Sequence, residues 1–196
     1  NLWVGTLTGG VTRLAPNGTL LTFRAGADPA RHLGADGIMS LYEDHSGRMW
    51  IGTFEGGVSI YDPQTATLTR LEDPSGANPW LSSVRAAAIV EDLNGYVWIG
   101  TDGQGLLLVD PTSGLLRRYL EDAQSADSLS SNAIYDLLVD ANGSLWIGTG
   151  GGGLDRLVGS SLKPAAVQFR NLGTRDGLPN AVVYGIEQDR SGNLWV

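Results

Sequence analysis

"AIVEDLNGYVWIGTDGQGL" (Ala88–Leu106) and "AIYDLLVDANGSLWIGTGGGGL" (Ala133–Leu154) share one pattern. An apolar run ends at an Asp, a turn of the form Asp-x-Asn-Gly follows, and a Trp-Ile-Gly-Thr word leads into a glycine-rich bend. Working outward, the same word recurs with Trp3, Trp50, Trp98, Trp146 and Trp195, at spacings of 47, 48, 48 and 49 residues. Six residues before each of the last four lies Asp44, Asp92, Asp140 or Asp189, and three before lies Gly47, Gly95, Gly143 or Gly192. A fixed period of this length marks a repeat architecture.

Each period reads as four strands. The apolar run comes first, and its Asp or Asn side chain can bond backbone N–H groups in the turn while Gly takes a positive φ. The Trp word is the second strand, runs such as "GVSIYD" and "GLLLVD" the third, and "LTRLE" and "LRRYL" the fourth. Turn signals about every ten residues and β-branched content exclude a helical solenoid. Four strands in roughly 48 residues is the length of a propeller blade. Burial of both blade faces accounts for a first strand that is apolar almost throughout. The expected fold is therefore an all-β propeller segment of four-stranded antiparallel blades. Its blades fall at about 1–24 (the last three strands only), 37–72, 83–120, 132–170 and 180–196 (the first two strands only). The matching ends, "NLWV" twice, read as a cut made nearly in phase, leaving an open arc of a larger ring.

The combined motif, together with the linkers "DSLSSNAI" and "RDGLPNAVV", resembles the two-component regulator propeller repeat over essentially the whole chain. That resemblance implies a seven-bladed ring in the extracytoplasmic sensor region of a histidine kinase or hybrid kinase; some relatives carry a diguanylate cyclase output. It further implies an oligosaccharide ligand, further blades and signalling domains in a membrane-anchored parent chain, and a periplasmic or extracytoplasmic location. It is compatible with a homodimer.

Composition narrows the alternatives. The net charge of −8 disfavours nucleic acid and anionic membrane surfaces as partners. The absence of cysteine excludes thiol-ligated metal and disulfides, and no apolar run approaches the roughly 20 residues that span a bilayer. "GTGGGG" (Gly148–Gly153) lacks the Lys of a phosphate-binding loop, and the Asp-x-Asn-Gly turns lack the further ligands of a calcium loop. His32 and His45 have no metal-like spacing to other ligands. No cofactor and no catalytic residue is expected in this segment.

Departures from the repeat point to the ligand site. Trp80 lies in a linker between blades, where it either plugs a groove or offers a stacking face for a sugar ring. Asp36, Arg85, Asn132, Tyr135, Asp136, Asn180 and Tyr184 are one-off polar residues near the starts of inner strands, expected to converge on one mouth of the channel. The Asn that often opens the family's inner strand is present as Asn132; its counterparts are Asp36, Val84 and Ala181, with Asn180 displaced by one. Two rival readings stand beside the sensor. One is a propeller lyase or glycosidase, which needs two carboxylates, with Asp36 and Asp136 the pair to test. The other is a protein-interaction scaffold.

Overall fold

The computed structural model describes residues 1–26, 32–73 and 75–196. They form two compact units, 1–87 and 88–196. In the first, β1 (Leu2–Gly5), β2 (Val11–Leu14) and β3 (Leu20–Ala25) form an antiparallel meander, and β4 (His32–Leu33) extends it by pairing in parallel with β3. A second sheet orders β5 (Ile38–Glu43), β6 (Met49–Thr53), β7 (Val58–Asp62) and β8 (Thr67–Arg70) as an antiparallel meander. Two further meanders follow: β9 (Ala86–Glu91), β10 (Val97–Thr101), β11 (Leu106–Asp110) and β12 (Gly114–Tyr119), then β13 (Ile134–Val139), β14 (Leu145–Thr149), β15 (Leu154–Val158) and β16 (Gln168–Leu172). A short pair, β17 (Glu187–Gln188) and β18 (Leu194–Trp195), closes the chain.

The fold is all-β and of the propeller type, with two differences from expectation. The first sheet is not purely antiparallel, because β4 joins it in parallel. The run expected as an inner strand over 180–187 is regular only at β17. In that run Val183 donates to the Thr149 carbonyl (3.0 Å), as Ile38 does to Thr6 (2.9 Å), and Ile186 donates to Asp136 Oδ2 (2.6 Å).

The repeated word is explained atom by atom. In the first turn Asp44 Oδ1 accepts the Ser46 and Arg48 amides, and Oδ2 accepts the Trp50 indole N–H at 2.8 Å. The same indole-to-carboxylate bond recurs at Trp98 with Asp92 (2.9 Å), Trp146 with Asp140 (2.9 Å) and Trp195 with Asp189 (3.1 Å). The six-residue spacing is thus a bond as well as a turn: one carboxylate caps the bend and satisfies a polar group that would be costly to bury alone. Gly47, Gly95, Gly143 and Gly192 all have φ between 79° and 86°, the left-handed region a side chain resists. The Thr of the word fixes the next hairpin. Thr101 Oγ1 donates to the Gly105 carbonyl (2.7 Å) and accepts the Gln104 amide (3.0 Å), and Thr53 and Thr149 do the same.

Each unit has its own core. In the first, Val11, Phe23, Leu33, Ile38, Ile51 and Tyr61 are buried together with Trp3 against them. In the second, Trp98, Leu106, Leu108, Tyr119, Ile134, Ile147 and Phe169 pack between the sheets of β9–β12 and β13–β16. Tyr119 lies 5.8 Å from Trp98 and 5.5 Å from Phe169 between ring centroids, and its hydroxyl donates to the Pro164 carbonyl at 2.8 Å. Burial pushes its phenol up to about 12, against the opposing pull of Arg117. The unfolded phenol ionises near pH ~10, so the folded state holds the proton longer. Stability is fully present below pH ~10 and falls as pH rises toward 12. A denaturant series across that window is expected to show the loss, and Tyr119→Phe to abolish its share of the slope.

Candidate functional site

Four linkers end in the same main-chain grip. The carbonyl of Asp36 accepts the Gly10 amide (3.0 Å), that of Val84 the Gly57 amide (3.2 Å), that of Asn132 the Gly103 and Gly105 amides (3.1 and 2.9 Å), and that of Ala181 the Gly151 and Gly153 amides (3.1 and 2.7 Å). Since the carbonyl does this work, the side chain can vary, which explains why an Asn there is not kept. Where a polar side chain is present, it ties the linker down. Asp36 Oδ1 accepts the Ala25 amide (2.7 Å), with Arg24 3.6 Å from Oδ2, and Asn132 Oδ1 accepts the Glu121 amide (2.9 Å). Asn180 Oδ1 accepts the Val182 amide within its own turn (3.0 Å). The side-chain oxygens of these three residues are engaged with backbone amides.

In the first unit Trp80 sits half-buried on a short 3-10 helix, Pro79–Ser83, and the residue of that helix that fills the core is its neighbour Leu81. Arg85 lays its guanidinium 4.1 Å above the Phe54 ring, a cation–π contact across a partly exposed ring. Phe54 was not singled out in the sequence, because the contact joins a hairpin bend to a linker 31 residues away (85 − 54). It also lines an apolar hollow of about 350 Å³ with Leu7, Ile38 and Met39.

In the second unit the structure brings together Tyr135, Asp136 and Tyr184. Both tyrosines lie 11 residues before their Trp (146 − 135 and 195 − 184), so consecutive repeats place them at one register. Their rings stack in parallel, 5.1 Å between centroids and 5° between planes. Tyr135 is braced from behind by Gly150, where a Cβ would come within 2.8 Å of its hydroxyl. Tyr184 is 78% exposed and presents its ring outward. Beside them Asp136 Oδ2 accepts the Ile186 amide (2.6 Å) and Oδ1 accepts the Leu137 amide (2.9 Å). Burial raises its carboxyl above the usual range, with Glu187 adding to the rise and the two amides opposing it. The register equivalents Ser40, Ala88 and Gly185 show its role. Ser40 Oγ likewise reaches the start of β9, donating to the Ala86 carbonyl at 2.8 Å. Asp136 is a brace that holds the segment carrying Tyr184, through the Ile186 amide. The arrangement offers an aromatic face with a rigid back. Asp36 and Asp136, the rival's carboxylate pair, belong to different units, and both are engaged with backbone amides. Among the described residues no group of three His, Cys, Asp or Glu is placed to hold a metal ion. Also among them, no helix is long and apolar enough to cross a membrane.

Comparison with known proteins adds the following. The two component regulator propeller model matches residues 32–55, 128–151 and 177–196. The stretch around Trp98 lies outside those matches, yet β9–β12 fold as the neighbouring repeats do. No curated protein sequence matches the chain. Two solved extracellular domains assigned to hybrid two component systems of B. thetaiotaomicron are similar, at 24% and 26% identity and TM-scores of 0.72 and 0.69. Each alignment covers 98% of this chain but 24% and 23% of the other, so the chain spans about a quarter of their length. Virginiamycin B lyase from Staphylococcus aureus shares the fold at 12% identity and a TM-score of 0.68, over 98% of this chain and 58% of the lyase.

Proposed function

Starting from a chain that carries two component regulator propeller repeats, we propose that it is the ligand-sensing part of a two-component sensor, held outside the cytoplasm by a membrane-anchored parent chain, and that it binds an oligosaccharide. The observation that carries the reading is the Tyr135–Tyr184 stack, an exposed and braced aromatic face. The C–H face of a pyranose packs on such a ring, and the phenol hydroxyls offer hydrogen bonds at its rim. The segment performs no chemistry. Binding acts by favouring one arrangement of the parent propeller or dimer over another, which the output domain, a kinase or a cyclase, then reads.

The extracellular relatives support the location, and the family match supports the signalling role. The lyase or glycosidase reading has less support, since likeness to the lyase at 12% identity shows fold alone and Asp136 has both oxygens occupied. A calorimetric titration of the chain against a panel of plant and host oligosaccharides tests the sensor. At least one glycan is expected to bind, and Tyr184→Ala is expected to weaken it ten-fold or more, with Tyr184→Phe close to wild type. A panel without binders, or equal affinity in the alanine variant, overturns the assignment. Turnover of a bound glycan, lost in Asp136→Asn, would establish the enzyme instead.

A further inference from the structure

The third-to-fourth strand connection of the β13–β16 sheet breaks the repeat. It runs nine residues (159–167), where β7 and β8 are joined by four (63–66) and β11 and β12 by three (111–113). The long connection is tied back to the preceding sheet at two points. Asn94 Nδ2 donates to Ser161 Oγ at 2.9 Å, and Tyr119 donates to the Pro164 carbonyl. Ser161 is buried by this contact. Between the connection and the turns at Asp92 and Asp140 lies a groove of about 430 Å³. It is lined by turns between first and second strands, and none of the linker residues discussed above contributes to it.

A charged residue sits in its wall. Opposite the repeated Trp the third strand carries Ile60 or Leu108 in the middle sheets and an arginine, Arg13 or Arg156, in the β1–β4 and β13–β16 sheets. Arg13 donates to the Tyr61 hydroxyl at 3.0 Å, whereas Arg156 lines the groove. Aliphatic residues suffice to cover the ring, so packing does not call for an arginine. The exposed Arg156 guanidinium lies 5.3 Å from the Trp146 ring centroid, and Nη2 donates to Ser144 Oγ at 2.8 Å. Among the described residues that is its single hydrogen bond out of the several a guanidinium can donate. Arg156 lines the groove, and against the raising effect of burial its charge also helps to lower the Asp140 carboxyl. The acids nearby are already engaged. Asp92 accepts the Asn94 and Tyr96 amides and the Trp98 indole, and Asp140 accepts the Asn142 and Ser144 amides and the Trp146 indole. Exposed Asn142 adds an amide at the rim, and Leu93, 77% exposed and lying over Gly143, adds an apolar wall.

We propose that this groove is a second binding site, separate from the tyrosine platform, and that it takes a carboxylated sugar of the uronic acid class. The guanidinium fork receives the carboxylate in bidentate fashion. The asparagine amides and serine hydroxyls take the ring hydroxyls, and Leu93 covers the C–H face. Among the lining residues Arg156 is the one cation and Asp92, already engaged by backbone amides and the Trp98 indole, the one acid, so selectivity for a carboxylate rests on the guanidinium fork.

The test is a pair of titrations followed by amide chemical shifts, one with D-galacturonate and one with D-galactose. Galacturonate is expected to shift the amides of Gly143, Ser144 and Ser161 and to bind at least ten-fold more tightly than galactose. Arg156→Met should remove that preference, and Arg156→Lys should restore it only in part, since the charge returns without the fork. Tyr184→Ala should leave galacturonate binding unchanged, which separates this site from the platform. Equal affinity for the two sugars, shifts confined to the tyrosine platform, or full affinity in Arg156→Met overturns the proposal. An absence of shifts up to tens of millimolar galacturonate does the same.

Discussion

Trp98→Ala is expected to cost about 3–5 kcal/mol, the range for removing a large buried aromatic. That is a large share of the ~5–15 kcal/mol that holds a domain of this size together. The ring is 1% exposed, stacked near Tyr119 and enclosed by Leu106, Leu108, Leu145 and Ile147. Deleting it leaves a cavity that two rigid sheets cannot close, and it strands an Asp92 oxygen that had accepted the indole N–H. The chain contains its own control. Trp195 makes the same bond to Asp189 at 3.1 Å but is 65% exposed. Trp195→Ala should therefore cost no more than a single hydrogen bond, about 1 kcal/mol. Urea unfolding of the two variants, followed by far-UV circular dichroism, measures the difference. Equal losses would mean that the indole-to-carboxylate bond, rather than burial of the ring, is what the repeat preserves.

How far the sequence discloses such features depends on whether they recur. The Trp, Asp and Gly registers were legible because every blade solves the same packing problem at the same offset. Even there, the spacing of six concealed a bond between side chains, since a turn alone was enough to explain the Asp. Single-copy features were harder to read. Asp36 and Asn132 stand out in the sequence as polar exceptions in a linker; what the sequence does not show is that their carbonyls clamp the adjacent hairpin and that their side chains accept amides 11 residues away. A one-dimensional pattern does not distinguish a main-chain role from a side-chain role. Trp80 drew attention by size, whereas Leu81, one residue on, is the buried member of the pair. The tyrosine stack was legible in principle, because Tyr135 and Tyr184 share an offset from Trp. Reading residues singly missed it. The long connection at 159–167 shows only as extra length, and what it encloses depends on the ties at Ser161 and Pro164.

Gly100→Ala tests the repeat at the glycine of the Trp-Ile-Gly-Thr word. A Cβ at this position would lie 2.5 Å from Ile134 Cγ2 and 3.5 Å from Leu137 Cδ1, both on the next inner strand. The equivalents are equally close: Gly5 to Ile38 Cγ2 at 2.6 Å, and Gly148 to the Val183 carbonyl at 2.9 Å. The glycine is there because the next strand passes over it, and conformational freedom has no part in this. A methyl group inserted at such a contact must push two packed sheets apart, for about 3 kcal/mol. Gly95→Ala, in the turn, meets a different obstacle, a φ of +81°, and should cost about 1–2 kcal/mol. A double-mutant cycle separates the mechanisms. Ile134→Ala alone opens a cavity for about 2–5 kcal/mol, but it also removes the Cγ2 that the new methyl meets. In the double variant the losses should fall short of their sum by roughly 1–3 kcal/mol, the size of coupling between residues in contact. The pair Gly95→Ala with Ile134→Ala should simply add. Additivity at Gly100 would show that the strands can part at little cost, and close blade packing would then not explain the glycine.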